Sequence, residues 1–191
     1  MLDPGPRTTV EDLGRRGVAR WGIPCGGAFD PLALTVANRL VGNRDDDAGL
    51  EITLGGPTLV NAGDEPLAVA LNGADCDARL VHGAASAPVR PGRAVTLAPG
   101  DVLRVGYARA GARAWLAVAG GIAVPRIAGS RATALGAGFG GLDGIDYDCW
   151  DFSSQAAAQG YFERDGGSAR NNADGLDRNH NGLACEPGEF D

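Results

Sequence analysis

The 191-residue chain contains no lysine, and all 17 of its basic residues are arginine. That absence excludes a Schiff-base lysine, a lysine nucleophile and the lysine of a phosphate-binding P-loop. Histidine is almost missing too, with only His82 and His180. A Ser-His-Asp or Cys-His site needs its base oriented by a third group. Neither histidine stands in such a setting, so both read as solvated side chains, His82 in a turn. No apolar run reaches the roughly 18 residues that a membrane span needs. The opening Met1-Leu2-Asp3-Pro4-Gly5-Pro6 has no basic n-region and no apolar h-region, so no secretion signal is expected. With a net charge of −7 and no basic stripe, a nucleic-acid backbone is not an expected partner.

The charge is not spread evenly. Residues 1–144 carry 14 Asp/Glu against 14 Arg, whereas residues 145–191 carry 10 Asp/Glu against three Arg. The whole net charge therefore sits in the last 47 residues, which also hold six of the 11 aromatics. A neutral body joined to a short acidic, aromatic-rich tail predicts two domains, 1–144 and 145–191.

The body reads as mainly β. Short runs rich in branched residues (Glu51–Leu54, Leu67–Leu71, Arg79–Val81, Ala94–Leu97, Val102–Val105, Trp115–Ala119) alternate with turn signals. Those signals are Gly55-Gly56-Pro57, Asn72-Gly73, His82-Gly83 and Pro99-Gly100-Asp101. Many short strands at this spacing predict a barrel or sandwich. One helix is expected from Asp30 to Val41, with Asp30 as N-cap, Pro31 at the first helical position and Gly42 just past the end. Leu34, Ala37, Leu40 and Val41 are expected to line its inner face. Gly120-Gly121 follows a strand, but Pro125 argues against a helix directly after it, so no phosphate loop is expected. Cys25 and Cys76 lack ligand spacing and read as buried or strand-borne free thiols.

The tail holds the most chemically specific run, Asp177-Arg178-Asn179-His180-Asn181-Gly182-Leu183-Ala184-Cys185-Glu186. Oxygen-bearing side chains at alternate positions followed by glycine are what a loop curling around calcium requires. The expected ligands are Asp177, Asn179, Asn181, the Leu183 carbonyl and Glu186, with Asp174 as a possible addition. Glu186 stands at loop position 10, so this loop closes more tightly than an EF-hand, whose glutamate stands at 12.

Several stretches of the body resemble the carboxyltransferase A/B-type family, which includes the C subunit of bacterial 5-oxoprolinase and part of urea amidolyase. They are Thr8-Thr9-Val10-Glu11-Asp12-Leu13-Gly14-Arg15, Gly22-Ile23-Pro24-Cys25-Gly26-Gly27-Ala28-Phe29-Asp30-Pro31, Asn38-Arg39-Leu40-Val41-Gly42-Asn43 and Leu50-Glu51-Ile52-Thr53-Leu54-Gly55-Gly56-Pro57. Ala117-Val118-Ala119-Gly120-Gly121-Ile122, Gly129-Ser130-Arg131 and Gly138–Gly144 complete the set. The resemblance covers about residues 1–144. It implies a cyclophilin-like barrel and a subunit of an enzyme that opens 5-oxoproline with ATP, or of a related amide-hydrolysing or carboxyl-transferring enzyme. It also implies a homologous β subunit as partner, with ATP handled only through that complex. Asp12, Arg15, Asp30, Glu51 and Arg131 are the polar residues embedded in these motifs and the candidates for acid/base or anion-binding roles. Asp30 is equally readable as a helix cap alone, and Asp12–Arg15 as a local ion pair. Proteins of the family continue into a second half of comparable size, so the chain is expected to be inactive alone.

The tail resembles the excalibur calcium-binding domain, found mostly on bacterial extracellular proteins. The resemblance rests on Asp148-Cys149-Trp150-Asp151-Phe152-Ser153-Ser154-Gln155-Ala156, Tyr161-Phe162, Asp174-Gly175-Leu176-Asp177 and Asn181–Glu186. It implies Ca2+ as the bound ion. Ser153 or Ser154 is suited to cap a helix reaching about Arg164, with Ala158, Tyr161 and Phe162 inward. A domain this small needs a staple and a metal. A Cys149–Cys185 disulfide would be that staple, the alternative being two free thiols in a disordered tail. The body's resemblance points to the cytoplasm and the tail's to the cell exterior, so the compartment stays open. Three functions remain: an enzyme subunit, a calcium-binding surface module on a β scaffold, or a non-functional fusion fragment.

Overall fold

A computed structural model describes residues 1–134, 149, 154–164, 176–177 and 181–186. The expected positions Asp174, Asn179 and His180, and the motif 138–144, lie outside the described residues. No described helix is long and apolar enough to cross a membrane.

The body is mainly β, as its strand-and-turn spacing predicts. Among the described residues, nine strands form two antiparallel sheets. They are β1 (Thr8–Glu11), β2 (Gly49–Thr53), β3 (Thr58–Val60), β4 (Leu67–Asp75), β5 (Ala78–His82), β6 (Ala85–Val89), β7 (Arg93–Leu97), β8 (Val102–Arg104) and β9 (Ala110–Val118). One sheet runs β1-β2-β9-β4-β7 and the other β3-β8-β5-β6. Strand side chains alternate between faces. Val10, Leu50, Ile52, Val69, Leu71 and Leu116 of the first sheet accordingly meet Ala78, Val89 and Leu103 of the second in one core. All six expected runs fall on strands. The sequence reading missed β1, β3 and β6, which are short or interrupted by polar residues and, for β6, by Pro88.

The other face of the five-stranded sheet is covered in part by α1 (Pro31–Leu40), whose Asp30 side chain accepts a hydrogen bond from Ala33 N at 3.0 Å. Leu34, Ala37 and Ala33 pack there on Trp115 and Ala117. Small alanines on both surfaces bring helix and sheet close. Gly49 serves the same end, since a Cβ there would stand 3.0 Å from Leu34 Cδ1 and 2.9 Å from Leu116 O. Leu40 departs from the expected inner face and is exposed, because its position turns away from the sheet at the last turn. Cys25 also departs from expectation and is exposed, while Cys76 is buried in the core.

Asn72-Gly73 is not the turn that its sequence suggests. It lies inside β4, where the register against β9 shifts between Gly73 and Asp75. Gly73 has φ +93°, and a Cβ there would come within 2.7 Å of Arg113 O and 2.9 Å of the Trp115 ring. A glycine placed for a bulge thus looks, from sequence, like a glycine placed for a turn.

The described part of the tail forms a separate small cluster. Helix α2 (Gln155–Arg164) begins after Ser154, whose hydroxyl accepts from Ala157 N at 3.2 Å. Ala158 and Phe162 bury against Leu176, Ala184 and Cys185, and Cys149 is joined to Cys185 by a disulfide.

Gly73→Val is expected to destabilise the body by 2 kcal/mol or more, roughly the sum of positive-φ strain and a backbone clash. Urea denaturation of the full chain monitored by tryptophan fluorescence measures it, with Gly83→Val, in an open turn, as the milder comparison.

Candidate functional site

Along β1, Val10 points into the core, so Thr9 and Glu11 point to the opposite face. Thr9 pairs with Glu51, and Glu51 with Trp115, so one row of side chains crosses that face. Beyond the N-terminal end of α1, where the helix no longer covers the sheet, this face opens into a cavity of about 310 Å3. Arg7, Thr9, Glu11, Glu51, Thr53 and Arg113 line it, with the Gly26-Gly27 backbone at one side.

Glu51 forms the floor. Its Oε1 accepts from Arg113 Nη1 at 2.5 Å, and its Oε2 accepts from Phe29 N at 2.7 Å and Trp115 Nε1 at 3.2 Å. The Arg113 guanidinium lies 4.1 Å from the Phe29 ring centroid, a cation–π contact. Glu51 is buried but compensated on both oxygens. It acts as an anchor that sets Arg113 at the cavity wall.

Glu11 is the contrasting carboxyl. It is 7% exposed, and its Oε2 has no hydrogen-bond partner among the described residues. Burial, reinforced by the nearby charges of Glu51 and Asp12, pushes its pKa from 4.5 up to about 7, against the lowering influence of Thr9 and the Gly27 backbone. At neutral pH this group can both give and take a proton, the property a general acid or base needs. The sequence reading passed over Glu11 and Arg113. The available signal was the Thr9/Glu11 alternation opposite the apolar Val10.

The five residues expected to carry the chemistry are not gathered in one place. Only Glu51 lies in the cavity. Asp12 accepts from Gly14 N at 2.8 Å and Ser130 Oγ at 2.5 Å on one oxygen, and from Arg131 N at 2.7 Å on the other. Arg15 donates through Nε to Ile127 O at 3.1 Å and through Nη2 to Ala132 O. Arg131 donates from Nε to Val124 O at 2.8 Å. These three clasp the segment 124–133 to the end of β1. Asp30 caps α1. His82 ends β5 rather than standing in a turn and is solvated as expected, 73% exposed, while its Nδ1 lies 2.5 Å from Asp101 Oδ1 and helps hold that carboxyl below its usual range.

In the tail, buried Asp177 accepts from Asn181 N at 3.0 Å and Gly182 N at 2.7 Å. Asn181 in turn donates to Glu186 Oε2 at 2.6 Å. Two glutamines of α2 pin the same loop: Gln159 accepts from Ala184 N at 2.7 Å, and Gln155 donates to Ala184 O at 3.1 Å. Among the described residues, no three acidic, histidine or cysteine side chains gather to hold a metal. Asn181 links Asp177 to Glu186, and its Oδ1 accepts from Leu183 N at 2.8 Å. A carboxylate oxygen has two lone pairs, so amide contacts at Asp177 are compatible with a metal bond. Oxygen donors of these types are the ligand class that a hard cation takes.

The family model of the carboxyltransferase domain, subdomain A and B, matches residues 21–155. The chain belongs to the carboxyltransferase A/B family. It is 44% identical over 144 residues to the C subunit of 5-oxoprolinase from Escherichia coli, covering 75% of this chain and 44% of that protein. It is 35% identical over 145 residues to the urea amidolyase of Lachancea kluyveri, covering 75% of this chain and 8% of that protein. The crystal structure of K. lactis urea amidolyase superimposes with a TM-score of 0.67 at 37% identity, over 73% of this chain and 8% of that one. The chain thus spans less than half of each of these relatives. The family match runs to residue 155, past the expected join at 144/145.

A neutral acid that is stable only while protonated gives a defined pH signature. The folded pKa of Glu11 lies above its unfolded value, so the native state holds more protons between pH 4.5 and about 7. The contribution of Glu11 to stability is therefore greatest below pH 4.5, falls as pH rises through this window, and levels off above about 7. Glu11→Gln is expected to remove that fall and to be more stable than the parent at pH 8, by up to roughly 3 kcal/mol. Denaturant titrations of both proteins at pH 5 and pH 8 test this.

Proposed function

We propose that the body is part of a 5-oxoprolinase-type subunit, one that works on an amide or carboxyl substrate within an ATP-dependent complex. The observation that carries this is the 44% identity to a 5-oxoprolinase C subunit across three quarters of the chain, together with a cavity holding a carboxyl poised near neutrality. In this reading the two sheets belong to a cyclophilin-like barrel, and the Glu11–Glu51–Arg113 cavity faces the substrate. Glu11 moves a proton at its carboxyl, and Arg113, fixed by Glu51, steadies negative charge. The word "subunit" in the names of the relatives supports a homologous β subunit as partner. ATP would be bound and cleaved elsewhere in that complex, since this chain has no lysine to hold its phosphates.

Purified alone, the chain is expected to show no ATP-dependent opening of 5-oxoproline, because it spans only 44% of its 5-oxoprolinase relative and has no lysine for phosphate. Coupled ADP release with 5-oxoproline, measured for the chain alone and with its co-expressed partner subunits, tests the reading. Turnover by the chain alone refutes the need for partners. Absence of turnover with every partner present refutes the function.

The tail is proposed to be an excalibur-like calcium module. The specific support is the Cys149–Cys185 disulfide beside a loop curled on Asp177. Asp177, Asn179, Asn181, the Leu183 carbonyl and Glu186 would hold the ion, whose charge would offset the acidity of the tail. With only Asp177 and Glu186 as anionic ligands, affinity in the weak class is expected, roughly 10⁻⁴–10⁻³ M, and magnesium should compete poorly. Calorimetry on the oxidised full chain reads this. Loss of the calcium heat in Asp177→Ala supports it, and equal heat in that variant removes it.

A further inference from the structure

The Glu11 carboxyl presents an unsatisfied problem in its present surroundings. An ionised carboxylate offers only acceptor sites, and a buried acceptor without a donor is costly. Glu11 Oε2 is such an atom, in a residue 7% exposed that lines the cavity. Protonation changes its chemistry, because a carboxylic acid has a hydroxyl to donate. That hydroxyl needs an acceptor, and Oε2, itself closed to solvent, finds none among the described residues, so the donor meets a cavity ligand by rotation of the carboxyl.

The charges around the cavity point to the same missing group. Arg113 is committed to Glu51 at 2.5 Å. Arg7, which precedes β1 and lines the same cavity, makes no side-chain hydrogen bond or ion pair with any described residue. Behind Glu11, Asp12 and Arg15 belong to the clasp on segment 124–133. With Glu11 ionised, Arg7 and Arg113 are balanced by Glu11 and Glu51. With Glu11 protonated, one positive charge is left over. The cavity then offers a guanidinium, an acid hydroxyl and the hydroxyls of Thr9 and Thr53 in a space of about 310 Å3. That inventory suits a compact anion with two oxygens and is too small for a nucleotide.

We propose that this cavity is a proton-gated binding site for a small planar oxyanion of the carboxylate type, with Arg7 as charge partner and the protonated Glu11 carboxyl as hydrogen-bond donor. The assignment rests on the reading of this cavity as substrate-facing and adds what controls its occupancy. Loss of the proton from Glu11 would remove the donor and set a carboxylate against the incoming anion. Glu51 plays no such part, because three donors already occupy its oxygens. Glu11 is therefore the gate, and Arg7 sets the affinity at all pH values.

Acetate is a suitable probe, since it stays ionised from pH 6 to pH 8. Its binding to the full chain is read from the backbone amide shifts of Thr9, Gly27 and Glu51 at constant ionic strength. With gating at about pH 7, the acetate Kd is expected to rise about tenfold between pH 6 and pH 8. Glu11→Gln should bind acetate with a Kd that no longer changes with pH, and Arg7→Ala should weaken binding at both. A flat profile in the parent protein, an unchanged slope in Glu11→Gln, or no saturable shifts at these amides would overturn the proposal. The measurement needs no ATP, partner or turnover. Acetate binding without ring opening would uphold the gate while the proposed reaction fails, and ring opening without pH-linked binding would do the reverse.

Discussion

The carboxylate of Glu51 ties together the parts on which the rest of the body depends. It sits in β2, between β1 and β9, and its three donors come from a β9 side chain, a neighbouring indole and the backbone ahead of α1. Hydrogen bonds to a charged acceptor contribute about 1.5–3 kcal/mol each, and removing the Glu51 carboxylate would leave all three donors without it. Through Phe29 N the same residue fixes where α1 begins, and through Arg113 it sets a cation at the cavity wall. Sheet, helix start and candidate site are therefore one electrostatic unit.

The two buried carboxyls of this face show how environment divides labour between like groups. Glu51 has donors on both oxygens and serves as an acceptor. Glu11, on the adjoining strand, has one oxygen without a donor and a second carboxylate nearby, so burial dominates and the proton stays on to about pH 7. Asp12 is a third case. Its oxygens are taken up by Gly14, Ser130 and Arg131, and its task is to close the chain back on β1.

The tail follows a different physical logic from the body. Its described core is five buried residues around a disulfide, too few to rely on apolar burial alone. Polar contacts from Gln155, Gln159 and Asp177 to loop backbone make up the difference. Binding a cation at that loop would add to stability in proportion to its differential affinity for the folded form.

Much of this protein is determined by local sequence. The absence of lysine, the charge step near residue 144, the six strand runs and the punctuation Asp30-Pro31…Gly42 all act within a few residues of chain. The structure shows the runs as strands and the helix where its caps place it. The pairing of Cys149 with Cys185, implied by the family resemblance of the tail, is found as well. Tertiary structure alone decided the rest. Whether Asn72-Gly73 turns or bulges depends on the Trp115 ring from a strand some forty residues later. Asp12 and Arg15 read as candidates for chemistry until segment 124–133 meets them. Glu11 looks like any strand-end glutamate in sequence, because its neighbours Glu51 and Gly27 are brought to it only by strand pairing and loop closure. A carboxyl's role is set by the donors and charges within a few ångströms, and folding alone places those groups.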